Sequence, residues 1–351
     1  MKPLLLDHPP ELWLLPCSEK YRQAQVADWI FKKRASSFAE MSNLSAALRT
    51  ELAEAFDLAP LTLVTCQGDG GSTRKYLWRL RDGSLIESVL IPATEALYGE
   101  KSDRMTLCVS TQVGCAYGCH FCASGLDGWK RNLSPGEIVG QILEAERQSG
   151  ERVNNLVFMG MGEPLANFDS LMSAIETINC PEGLNIGARH ITISTSGLAP
   201  RIRDLAHYPK QLRLAISLHG ATDEVRERIM PVNKKHPLRE LVDACLFYQQ
   251  HKGRIITLEY ILIQGVNDSL DQAQKLAQLA GILHAKVNLI PYNTVEGLPW
   301  ERPPQTTVTA FAKTVQSRGV TATVRTEKGG DIDAACGQLR LKTEQAAARQ
   351  E

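Results

Sequence analysis

The sequence predicts an α/β fold: a parallel sheet built from strand–helix repeats, with a small helical module ahead of it. Three observations carry the prediction. Six short apolar segments, at 106–110, 155–159, 190–194, 213–218, 255–262 and 286–290, alternate with segments of helical periodicity. Most of the apolar segments end in an unusual polar or glycine-rich tip. Residues 17–57, by contrast, space their apolar residues as helices do. A strand–crossover–strand series of this kind is right-handed. An open doubly wound sheet, a partial barrel and a full barrel all satisfy it.

The elements follow in order. Residues 22–33 carry Val26, Trp29, Ile30 and Phe31 at helical spacing, and 45–56 carry Leu48, Leu52, Ala55 and Phe56, with Asn43 or Ser45 as the cap. Residues 61–66 and 74–91 switch to strand patterning around a glycine turn at 68–71. Beyond a boundary near 92–103, helices are expected at 134–147, 168–178, 198–207, 238–251 and 271–280. A helix at 307–317 and a strand at 320–325 close the series. The expected division is a helical accessory domain at 1–60, a strand-rich connecting segment at 61–100, the α/β core at 101–340 and a tail at 341–351. There is no sequence repeat, low-complexity tract or coiled coil.

Bulk properties narrow the function. Thirty-nine basic residues balance 39 acidic ones, which argues against a protein coated in positive charge that binds any nucleic acid. Local clusters remain: Lys32-Lys33-Arg34, Arg74-Lys75 with Arg79 and Arg81, Lys130-Arg131, and Lys234-Lys235-His236. Singly, each reads as a solvated face. No apolar run reaches bilayer length, and the leading apolar stretch breaks at Asp7, too early for a signal-peptide core. A cytoplasmic protein without a membrane partner is expected. Its nine cysteines, an odd number, then read as thiols and metal ligands rather than a disulfide framework.

Cys115, Cys119 and Cys122 form a C-x3-C-x2-C run just after the first core strand. Random placement of nine cysteines would produce this spacing about 0.006 times, so chance is a poor explanation. A closed zinc site needs four protein ligands, commonly a second Cys or His pair, and that pair is missing here. Three thiolates can instead hold three irons of a four-iron cluster and leave the fourth iron open. His120 lies between two of the cysteines and is expected to point away from a metal they share.

Other polar tips follow the later strands: Gly160-Met161-Gly162-Glu163-Pro164, Ser194-Thr195-Ser196-Gly197, Ser217-Leu218-His219-Gly220 and Pro291-Tyr292-Asn293. Each has a bland reading, as a tight turn, a helix cap or a satisfied core histidine. In a parallel barrel such tips converge on one face, where active sites are assembled from several loops. Five together read as a cofactor cup.

In the cysteine run and the tips that follow it, the chain resembles the radical S-adenosylmethionine (SAM) enzymes, whose partial (β/α)6 barrel carries C-x3-C-x2-C after its first strand and a Gly-Glu element after its second. The resemblance is closest to the RlmN/Cfr family of RNA adenine methyltransferases. It rests on Thr106–Cys115, Phe158–Pro164 and Asp331–Leu339, and extends over residues 17–340. It implies a [4Fe-4S] cluster on Cys115, Cys119 and Cys122. It places Gly162 and Glu163 at the SAM amino group, and Ser194, Ser217, Leu218, His219 and Asn293 at its remaining contacts. Two SAM molecules are used per turnover. Cys336 matches the cysteine that becomes S-methylated, Cys108 its partner thiol, and Glu87 the proton acceptor.

The chemistry implied explains the two extra cysteines. One SAM methylates Cys336 by displacement, and a second provides a 5′-deoxyadenosyl radical that takes hydrogen from the S-methyl group. The carbon then joins an adenine, and Cys108 releases the product by attacking the Cys336 sulfur, leaving a disulfide for external reduction. The implied substrates are 23S rRNA (adenine 2503) and tRNA (adenine 37), modified at C2. The alternatives are C8, as in the Cfr branch, or a cluster-bearing RNA-binding or redox protein without methyl transfer. A flavodoxin or ferredoxin donor, a thiol reductant and a monomeric state are also implied, and the helical module is assigned to RNA. Cys17, Cys66, Cys180 and Cys245 have no partner spacing and read as small apolar residues.

Overall fold

The computed structural model describes residues 1–17, 19–69, 72–93, 102–325 and 337–348. Two compact units interleave along the chain. The first comprises Met1–Val113, Arg131–Gly160 and Asn167–Ile191, the second Gly114–Lys130, Met161–Ala166 and Thr192–Glu351.

The first unit opens with helix α1 (Lys20–Ala27), which continues as a π-turn through Asp28–Lys32, and α2 (Ala46–Ala55). Val26, Ile30 and Phe31 are buried as their spacing predicts, and Trp13 stacks on Phe31 with centroids 6.1 Å apart. Ser45, not Asn43, caps α2 by accepting the Leu48 N–H at 3.2 Å. Strands β1 (Leu61–Gln67), β2 (Arg74–Leu80) and β3 (Leu85–Pro92) form an antiparallel meander, and β3 continues it onto β4 (Met105–Cys108). The short strands β5 (Gln112–Gly114) and β6 (Trp129–Asn132) pair at the base of the cysteine loop. Helix α3 (Pro135–Ser149) starts in a capping box between Ser134 and Glu137 and ends at left-handed Gly150. After it, β7 (Asn155–Phe158) pairs parallel with β4, and α4 (Phe168–Asn179) follows.

In the second unit β8 (Ile191–Thr195), α5 (Ala199–His207), β9 (Arg213–Ser217), α6 (Asp223–Ile229), α7 (Leu238–Lys252), β10 (Thr257–Leu262), α8 (Leu270–Ile282), β11 (Lys286–Pro291), α9 (Gln305–Gln316) and β12 (Ala322–Val324) follow in order. Their strands pair parallel in sequence order, β8-β9-β10-β11-β12. A last helix, α10 (Gln338–Ala348), was not expected as such; nor was α6.

Strand alternation in this unit positions the site. Ile193, Ile216, Leu258, Tyr260 and Leu289 are almost wholly buried on one face, where Tyr260 packs against Phe311 of α9. The register puts Ser194, Ser217, Glu259 and Asn288 on the other face. A parallel sheet covered on both sides is ordinarily apolar on both. Here one face is polar, which marks it as the lining of a ligand cup.

Three expectations need correction. Lys75 is not part of a solvated basic face: its side chain is fully buried and paired with Glu87, whereas Arg79, on the same face of β2 nearer its end, is exposed. Arg34 is likewise committed, with its guanidinium 2.5 Å from Glu146 and donating to the carbonyls of Phe31 and Lys32. Cys66 is exposed on the edge strand β1 rather than acting as a small core residue, whereas Cys245 is wholly buried.

Candidate active site

The cysteine loop is built by a tight base. Gly114, at φ +73°, lies so close to the Gly128 carbonyl that a Cβ there would overlap it, and Cys115 N–H donates to the same carbonyl at 2.9 Å. Cys122 N–H closes the loop on the Cys119 carbonyl at 3.0 Å. His120 faces away, as expected: its Nδ1 lies 2.9 Å from the Arg228 carbonyl.

Burial pushes the Cys115 thiol up to about 12, and the charge of Cys122 and Glu163 adds to it. Cys119 is pushed well up for the same reason, first by burial and then by Cys122, Cys115 and Glu163. The three thiols are thus near enough to oppose one another's ionisation. Among the described residues, no three Cys, His, Asp or Glu side chains gather round one point as a single metal ion would require. A cluster that gives each thiolate its own iron, and supplies positive charge, fits this donor set.

Gly162, at φ +95°, turns the chain so that Glu163 enters the interior, where it is 3% exposed. Its carboxylate accepts the N–H of Leu165 at 3.0 Å and of Ser196 at 2.7 Å. Burial nevertheless pushes the carboxyl up, and the Ser196 N–H draws it only part of the way back. A ligand ammonium would complete the charge. The Ser194 and Ser217 hydroxyls lie 3.3 Å apart, Leu218 is buried, and Asn293 is half-buried just past β11.

His219 sits in the left-handed region at φ +56°. Its Nδ1 accepts the Ile261 N–H at 3.0 Å, its carbonyl accepts from Asn267 Nδ2 at 2.7 Å, and Phe121 meets its ring edge-on at 5.0 Å. Burial, then Arg226, pushes the imidazole down to about 3, so it is neutral. The side chain is a latch for the 217–219 tip.

Sequence reasoning missed Arg226, which is fully buried and ties the tips together. It donates to the Leu218 carbonyl at 3.1 Å, to Asn233 at 2.8 Å and to the Ser196 carbonyl. Its signal was faint, one of two arginines on a short, highly charged helix.

Glu87 and Cys108 belong to the first unit, and the sheet places them on one face. Val89 pairs directly with Cys108, and Glu87 is two residues from Val89, so Glu87 and Cys108 are diagonal neighbours across β3 and β4. Lys75, diagonal to Glu87 on β2, lies 2.9 Å from its carboxylate, with both side chains buried. A network on the opposite face fixes this register. Trp78 donates to Ser88, Ser88 to Gln141, and Gln141 to the Ser110 carbonyl, while Ser110 Oγ reaches the Glu87 carbonyl at 2.6 Å. Gln141 was not anticipated.

Cys336 lies outside the described residues. The next residue, Gly337 at φ +85°, is packed so that a Cβ would come within 2.8 Å of the Ser124 backbone, two positions past Cys122. Arg340 then pairs with Asp127 at 3.0 Å, fixing α10 to the cysteine loop.

Comparison with known proteins agrees with this geometry. Residues 109–277 match the Radical SAM superfamily and residues 15–58 the ribosomal RNA large subunit methyltransferase N-terminal domain. A probable dual-specificity RNA methyltransferase RlmN from Akkermansia muciniphila is 58% identical over 326 residues, 93% of this chain and 91% of the relative. A similarly described protein from Opitutus terrae is 56% identical, over 92% and 89%. The crystal structure of a radical SAM methyltransferase from Sphaerobacter thermophilus superimposes with a TM-score of 0.85 at 44% identity, covering 91% of this chain and 92% of that one. The fold is the α/β radical SAM fold, and its cofactors are a [4Fe-4S] cluster and SAM. Among the described residues, no helix is long and apolar enough to cross a membrane. With near full-length identity to these relatives, the chain belongs to the RlmN family of radical SAM RNA methyltransferases.

Proposed function

We propose that the protein methylates C2 of an adenine in 23S rRNA and in tRNA, adenines 2503 and 37 being the expected targets, with Cys336 as methyl carrier. The cluster and SAM supply the methyl group and a hydrogen-abstracting radical when bound. The chain's own residues do the rest. Glu163, Gly162, Ser194, Asn293 and the 217–219 tip hold SAM. Cys115, Cys119 and Cys122 hold the cluster. Glu87 accepts the adenine ring proton, its carboxylate held ready by Lys75. Cys108, as thiolate, then attacks the Cys336 sulfur. An S–S bond forms, the sulfur–carbon bond breaks, and its electron pair leaves with the carbon, which a proton converts to the new methyl group. An external thiol reduces the disulfide. A small electron-transfer protein supplies the one electron that radical formation needs, and the adduct radical gives one electron back as Glu87 takes the ring proton, before Cys108 attacks.

The observation that carries this reading is the shared sheet face of Glu87 and Cys108, two residues 21 positions apart that the fold makes neighbours. We take the 15–58 module, which matches the N-terminal domain of ribosomal RNA large subunit methyltransferases, as the part that docks RNA. Its basic corner offers Lys32, exposed and paired with Asp28, and Lys33 over the Trp29 ring, while Arg34 is structural. The target adenine must be unstacked, since its C2 edge is out of reach inside a paired helix. Nucleoside digestion of RNA treated with enzyme and SAM tests the position. Product running with 2-methyladenosine is expected, and 8-methyladenosine would overturn it.

A further inference from the structure

Glu259 of β10 is used by none of the roles above, and it is the most anomalous group in the cup. It is 4% exposed. Oε1 accepts the Asn288 amide at 2.9 Å, but Oε2 is buried and has no hydrogen-bond partner among the described residues. Native structures leave few buried acceptors empty, because a lost hydrogen bond to a charged group is costly. Burial pushes the carboxyl up, with Arg325 and Asn288 pulling the other way.

Its position says what is missing. Glu259 stands directly beside Ser217 in the register, on the polar face of the sheet, and its backbone carbonyl accepts the N–H of Leu218 at 3.0 Å and of His219 at 3.4 Å. Ser217 in turn touches Ser194. The row Ser194, Ser217, Glu259, Asn288 thus crosses four strands and sets a carboxylate that accepts among hydroxyl and amide groups that can donate. An ammonium ligand is already provided for at Glu163, and among the described residues no three ligands for a metal ion converge here. A vicinal diol suits the row: each hydroxyl both donates and accepts, and carboxylates in nucleotide sites bind ribose hydroxyls in this way.

We infer that Glu259 Oε2 accepts a hydroxyl of the SAM ribose, which makes Glu259 a cofactor-binding residue and the determinant that selects a ribonucleoside sulfonium. The inference rests on the use of SAM, not on which adenine carbon is methylated. An RNA ribose offers related chemistry, but only its single 2′-hydroxyl.

The test is equilibrium dialysis under anaerobic conditions, with cluster-loaded protein and SAM, 2′-deoxy-SAM and 3′-deoxy-SAM as probes. The wild type is expected to bind at least one deoxy analogue about tenfold more weakly than SAM. Glu259→Met, similar in size and without a polar end, is expected to bind SAM and that analogue alike. If E259M does not fold, Glu259→Gln carries the same comparison, with a reduced preference expected. Wild-type protein that binds all three probes within twofold overturns the inference, and so does a variant that keeps full discrimination. So does an E259M variant that binds SAM normally and loses affinity only for RNA. A wild type that binds no SAM at all overturns the cofactor reading as well.

Discussion

The two halves of the chemistry are built on opposite electrostatic terms. In the first unit the charged group is already answered from within the chain: Glu87 has Lys75 at 2.9 Å, and the Gln141 network fixes the strands that carry them. In the second unit the buried carboxylates are met by neutral donors: Glu163 by the Leu165 and Ser196 N–H groups, Glu259 by the Asn288 amide. Cys115, Cys119, Glu163 and Glu259 are all pushed up by burial, and backbone N–H groups, hydroxyls, an amide and arginines pull them part of the way back. On the proposed reading, the first arrangement presents a finished surface to a substrate that comes and goes, and the second is a receptor to be completed by the positive charge of iron and a sulfonium.

The largest test of that difference is removal of one cluster ligand. Cys119→Ala should lose the cluster and all methylation, read as iron and sulfide content after anaerobic reconstitution. Stoichiometric zinc without sulfide in the wild type would break the comparison at its base. Next, Lys75→Met strands a buried carboxylate and should cost about 3–5 kcal/mol of stability in denaturant unfolding. The double variant Lys75→Met/Glu87→Met should recover most of it, because an apolar pair of similar volume replaces a buried ion pair at little cost. A single variant as stable as wild type would show that the pair is not desolvated.

A smaller effect sharpens the neutral part of the second unit. The His219 imidazole is held near 3, against about 6.5 when unfolded. Between those values the unfolded state binds more protons, so this contribution to stability is complete above pH 6.5 and is lost as pH falls toward 3. The slope is at most about 1.4 kcal/mol per pH unit. In cofactor-free protein, His219→Asn should flatten the wild-type decline between pH 6.5 and 5. An unchanged slope would mean that the imidazole is not buried neutral.

Much of this was legible in the sequence, and the reason is locality. The cysteine loop is a covalent spacing within eight residues, and the polar tips sit where apolar runs stop. The capping residues Ser45 and Ser134 are equally local, although only the first was anticipated. What was not legible depends on register. Lys75 shares its strand with Arg74 and Arg79, so it reads as a solvated cation until pairing shows Glu87 diagonal to it. Glu259, inside the apolar run 257–262, gives no local hint that the parallel register sets it beside Ser217. Arg226 and Gln141 act through carbonyls and amides on other elements, which no spacing along the chain reveals.

The central claim is that methyl transfer runs through a protein–RNA thioether that Cys108, on the Glu87 face, resolves. Mass spectrometry of Cys108→Ala protein purified from cells tests it most directly. The account predicts an RNA fragment covalently attached through Cys336, present in Cys108→Ala and absent from Cys108→Ala/Cys336→Ala. A Cys108→Ala enzyme that turns over normally and carries no bound RNA would contradict it.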